Sequence, residues 1–109
     1  LPFDAQEENG HRQALLYTMR IALKRGRSGE VLAAFKALGD PHRLRMDIRV
    51  EALILAARAL LASGHRARAR RFIGLALASP SAGQRLNCNL AIASLELEAA
   101  DAIQSQSER

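Results

Sequence analysis

The chain is short of most residues that do chemistry. Its 109 residues include one cysteine, no tryptophan, one tyrosine and three phenylalanines. A single cysteine, Cys88, rules out an intrachain disulfide, and with no histidine at ligand spacing it reads as a small buried apolar residue. The histidines, His11, His42 and His65, each fall near a predicted helix start or turn, and none has a histidine or cysteine at metal-ligand spacing. Glu96 and Glu98 are two apart, so on a helix they diverge and make no acid–base pair. There is no glycine-rich phosphate loop, nucleophile elbow or HExxH. No enzyme activity, cofactor or metal is expected. The longest apolar run, over 52–61, is interrupted by Arg58 and is too short to cross a bilayer. No leader of charged, apolar and small-residue build opens the chain, so the expected compartment is cytoplasmic.

Alanine and leucine fill much of what remains, while three prolines and seven glycines leave long stretches unbroken. These are strong helix formers and β-branched residues are thin, so the chain reads as all-α. Apolar residues at helical spacing predict five helices, over 11–25, 28–38, 42–63, 66–78 and 84–103. Their stripes include Leu15, Met19 and Ala22; Val31, Ala34, Phe35 and Leu38; Met46, Val50, Leu53, Ala57 and Leu60; Ala69, Phe72, Ile73 and Ala76; and Leu86, Leu90, Ala93 and Leu97. Gly26, Gly39 and Gly64 are placed to end helices, Pro41 and Pro80 to prevent continuation, and Ser28 to cap the second helix. Residues 1–10 read as a flexible acidic lead-in, 11–103 as one helical domain and 104–109 as a polar tail.

Acidic charge is scarce where basic charge is dense. The net charge is +5, but residues 9–71 hold fourteen Lys and Arg against four acids, while 72–109 carry −2. The cations gather at two turns: Lys24, Arg25 and Arg27 at the first, and Arg66, Arg68, Arg70 and Arg71 at the second. If equivalent turns lie side by side they form one basic edge, suited to an acidic protein segment or another polyanion. The plain alternative is a solvated surface in which Lys24 and Arg25 complement a helix dipole.

An internal repeat organises these features. Met19–Gly26 (MRIALKRG) returns 38 positions later as ARALLASG, with arginine, leucine and glycine in register, and each copy leads into a second helix carrying Phe35 or Phe72. In the second copy, Leu53, Ala56, Ala57, Leu60, Gly64, Ala69, Ile73 and Ala76 resemble the tetratricopeptide (TPR) pattern, with Ser79-Pro80 one residue before its helix-ending proline. The first copy is more degenerate, and the last helix resembles a cap or a truncated third unit. The resemblance implies a TPR-like α-solenoid of about five antiparallel helices, two helical hairpins plus a C-terminal capping helix. It also implies protein binding along a groove lined by first helices, an adaptor or chaperone-like role for a helix or peptide. On that reading Tyr17, Arg20, Arg45, Arg49 and Arg58 are the candidate partner contacts, although local ion pairing within the third helix also accounts for its arginines. Two alternatives stand beside it. One is nucleic-acid or polyanion binding at the basic turns. The other is self-association, or membership of a longer helical-repeat protein, because Ile92 and Leu95 exceed what one face of the last helix can bury.

Overall fold

The computed structural model describes the backbone of residues 2–78 and 84–107, and the side chains of 10–78 and 92–103. The described residues form five α-helices: α1 (Pro2–Lys24), α2 (Ser28–Leu38), α3 (Met46–Ala62), α4 (Arg66–Ala78) and α5 (Gln84–Ser107). No strand occurs among the described residues, as the composition requires. Among the described residues, no helix is long and apolar enough to cross a membrane. The side chains of Cys88, Leu86 and Leu90, and the break at Ser79-Pro80, lie outside the described residues.

Two turns carry the repeat into the backbone. Gly26 and Gly64 have φ of 70° and 84°, a left-handed conformation that only glycine adopts without strain. After each glycine the chain closes in the same way. Arg27 N–H donates to the Ala22 carbonyl at 2.9 Å, and His65 N–H to the Leu60 carbonyl at 2.8 Å. Gly26 and Gly64 N–H donate to Leu23 and Leu61, each at 3.1 Å. These paired bonds satisfy helix-end carbonyls and reverse the chain into an antiparallel hairpin.

Several boundaries differ from the sequence reading. Helical backbone begins at Pro2, so α1 takes up the segment read as a flexible lead-in, and α5 runs to Ser107 through most of the segment read as a tail. Ser28 is the first residue of α2 rather than its cap, and Arg27 at the cap position makes no side-chain capping bond. The third helix starts at Met46, not near His42. A 3₁₀ turn, Pro41–Arg43, precedes it, with the Asp40 carboxylate accepting from His42 N–H at 3.0 Å. Leu44 then turns inward in extended conformation and is buried, which breaks the helix before α3 begins.

The largest departure is α3. A single apolar stripe is expected, but every residue from Glu51 to Ala57 is buried. One side of α3 (Ile48, Ala52, Leu55, Ala56, Ala59) joins a core with Leu16, Met19 and Ala22 of α1 and Val31 and Leu38 of α2. The other side (Val50, Leu53, Ile54, Ala57, Leu60) joins Ala69, Ile73 and Ala76 of α4 and Ala93 of α5. The fully buried alanines let neighbouring backbones approach on both sides. Phe35 of α2 and Phe72 of α4, the aromatic in each copy of the repeat, meet with ring centroids 5.3 Å apart and pack against both cores. Thus α3 packs on all four other helices, whereas α1 and α2 pack on each other and on α3. The radius of gyration is 14.5 Å, against about 13 Å for a rounded chain of this length.

Candidate functional site

The face shared by α1 and α3 holds an open cleft of about 480 Å³. From α1 it takes Tyr17, Arg20, Ile21, Leu23 and Lys24, and from α3 Glu51, Ile54, Leu55 and Arg58. On α3 these follow helical spacing of three, one and three, which aligns them along one face. Three of the five expected partner contacts, Tyr17, Arg20 and Arg58, are brought together here.

The two cleft arginines are engaged. Arg20 donates to Glu51 across α1 and α3. Arg58 forks onto Glu96 of α5, with Nε 3.2 Å and a terminal nitrogen 3.0 Å from Oε1. Arg20 and Arg58 are the equivalent arginines of the repeat, and each reaches a glutamate on the next long helix packed against its own. Glu51 is only 8% exposed, so its charge depends on this pairing. The repeat encodes the two arginines, while the glutamates that they reach fall outside its register. The expectation of local pairing is corrected for Glu51 and Arg58, neither of which pairs within its own helix, but Arg45 does pair locally, with Asp47.

Arg45 and Arg49 are not cleft residues. Arg45 forks onto Asp47 at 2.8 and 3.2 Å. That hydrogen bond holds the Asp47 carboxyl below its usual range, assisted by the Ile48 backbone N–H and opposed by partial burial, while the Arg45 pKa rises. Arg49 turns back onto the 3₁₀ turn, donating to the carbonyls of Pro41 (2.8 Å), His42 (3.0 Å) and Leu44 (3.2 Å). It satisfies carbonyls left over where the helix is interrupted, a structural task.

What stays open in the cleft is a set of donors on an apolar wall. Tyr17 is 61% exposed and Lys24 is exposed, and neither has a partner among the described residues. The carboxylate that lines the cleft, Glu51, is held by Arg20, while Arg58 is held by Glu96 of α5 from beyond the lining. Half-buried Ile21 supplies apolar surface beside them, over a floor of buried Ile54 and Leu55. The sequence reading missed Ile21, Glu51, Ile54 and Leu55 as cleft residues. For the three on α3 the only sequence signal is the i, i+3, i+4, i+7 series that they form with Arg58, and Ile21 on α1 lies outside it.

The basic turns are partly neutralised. Arg27 pairs with Glu30 at 3.3 Å. Arg66 and Arg70 both turn to Asp101 of α5, at 3.2 and 2.6 Å. The Arg66 contact is an ion pair without hydrogen-bond alignment, since that Asp101 oxygen accepts no aligned donor. Arg25, Arg68 and Arg71 are exposed without a carboxylate partner among the described residues. Two of the four cations of the second turn thus tie α4 to α5. Among the described residues, no group of three or more His, Cys, Asp or Glu is placed to hold a metal ion. No protein-family model, no curated protein and no solved structure matches this chain.

Proposed function

We propose that the protein is a non-enzymatic protein–protein interaction module, a TPR-like adaptor or chaperone, that receives a partner helix or peptide in the α1–α3 cleft. The observation that carries this reading is the composition of the cleft. It joins apolar wall to unclaimed donors, with its one carboxylate, Glu51, already held by Arg20. A ligand that fits offers apolar side chains and acceptors, as an amphipathic helix with acidic residues on its flank does. The exposed tyrosine has the amphipathic build common at interface anchors. The repeated glycine turns and the packing of successive helices on near neighbours accord with a helical-repeat architecture.

The test is purification of the tagged chain from its native extract at low and high salt. A single stoichiometric protein that survives high salt is the expected product. Tyr17→Ala and Lys24→Glu should each weaken its retention by about tenfold or more, because both side chains are exposed and neither supports the fold. Nucleic acid as the sole product, lost as salt rises, would transfer the function to Arg25, Arg68 and Arg71 and end the cleft reading.

A further inference from the structure

The exposed apolar side chains of this molecule are gathered at one end. Apart from Tyr17 in the cleft, every large one among the described residues is on α4 or α5. Helix α5 turns Ala93 and Leu97 toward α3 and α4. A different face carries Ile92, Leu95, Ala99 and Ala102, spaced three, four and three apart, and all four are exposed. That spacing is the seam of a coiled coil, not of a helix finished by one core. Helix α4 adds Arg70, Gly74 and Leu77, a stripe at i, i+4 and i+7. The Arg70–Asp101 pair sets the register of the two antiparallel helices. Seven residues onward on α4 and seven back on α5 therefore bring Leu77 level with Ser94 and Leu95. Leu77 and Leu95 are 63% and 64% exposed. Between Leu77 and Arg70, a Cβ on Gly74 would meet nothing within 4 Å, so the stripe has a notch.

We infer that this α4–α5 face is the contact surface between two copies of the chain, related by a two-fold axis. The face complements itself in shape and in charge, the property a two-fold interface demands. Placing α5 antiparallel to its twin sets Ile92 and Leu95 of one copy over Ala102 and Ala99 of the other, large on small. The face also holds one cation and one anion. Arg70 engages Asp101 through one nitrogen and remains largely exposed, while Glu98 is exposed with no partner among the described residues. The antiparallel arrangement leaves Glu98 of one copy and Arg70 of the other about five residues, or about 7–8 Å, apart along the helices, a span that two extended side chains can bridge. Two helices over three turns bury on the order of 1,000 Å² in total, the threshold of a specific interface. The dimer is accordingly weak, with a dissociation constant in the micromolar range.

Sedimentation equilibrium of the intact chain from about 1 µM to about 1 mM brackets that range. The weight-average mass should climb from 11.9 kDa toward twice that value. Leu95→Glu and Leu77→Glu should each raise the dissociation constant about tenfold or more, with helical circular dichroism unchanged because both side chains are exposed. Glu98→Arg should weaken the dimer by setting cation against cation. Tyr17→Ala should leave it intact, which separates failure of this inference from failure of the cleft reading. A monomer at every concentration would overturn the inference and assign the face to a different helix. A dimer indifferent to both leucine variants would overturn it too, since the copies would then meet elsewhere.

Discussion

Among the described charged residues, Glu51 stands out for its burial, at 8% exposed. Glu51 is tolerable inside the molecule because Arg20 meets it, and the pair joins α1 to α3. Arg20→Ala leaves a buried carboxylate without its counter-charge and should destabilise the fold by about 2 kcal/mol, or about 10 °C in a thermal melt of a domain this size. A loss below about 0.5 kcal/mol would show that water already solvates Glu51. Asp47 works through titration. Its folded-state pKa is lowered, chiefly by the Arg45 hydrogen bond, so the unfolded chain takes up its proton first as pH falls. The stability it contributes is full above the ordinary aspartate value of about 3.9 and is lost as pH drops through the lowered folded value. An NMR titration should place the Asp47 midpoint below the ordinary aspartate value of about 3.9, and Arg45→Ala should return it upward.

Among the elements, the 3₁₀ turn before α3 is held by two side chains, Asp40 from its start and Arg49 from α3. Arg49 donates to three carbonyls of the segment that feeds α3 into the core. Lysine keeps the charge but lacks the planar fork. Arg49→Lys should cost about 1 kcal/mol and speed hydrogen exchange at the Arg43 and Leu44 amides, which donate to Asp40 and Pro41. Unchanged exchange there would mean the turn is held by Asp40 and Pro41 alone. Helix existence was legible in the apolar spacing, and the glycine stops at Gly26 and Gly64 were legible because left-handed turns select glycine. The start of α3 was not legible. Its position rests on Leu44 entering the core and Arg49 folding back, and neither is a local preference.

At the scale of the whole molecule, α3 is an axle with a core on each side. Ile54 is 1% exposed and packs toward α4 and α5 while its neighbour Leu55 belongs to the core of α1 and α2. Ile54→Ala should cost about 2–5 kcal/mol. Because α3 touches every other helix, the loss should appear as one shifted denaturant transition, the same by circular dichroism and by Tyr17 fluorescence. Two separated transitions would show that the cores melt independently. The cleft was half legible at this scale. Tyr17, Arg20 and Arg58 could be proposed as contacts from a repeat pattern, but Arg49, on the same helix as Arg58, and Arg45, at its N-cap, serve the α3 entry instead.

Sequence by itself determined the helical class, the two glycine-closed hairpins and the equivalence of Arg20 with Arg58, with Phe35 and Phe72 one position out of that register. Those properties follow from propensity, from left-handed backbone and from a 38-residue register, all carried within a stretch of chain. Tertiary structure alone decided that α3 is buried on both sides, that Arg20 answers Glu51 and Arg58 answers Glu96, and that α5 keeps an apolar seam in solvent. Each of these depends on which helix lies beside which. Partners 31 and 38 residues apart leave no local trace, because a charge or a leucine has the same propensity whether its neighbour is water, a counter-ion or another helix.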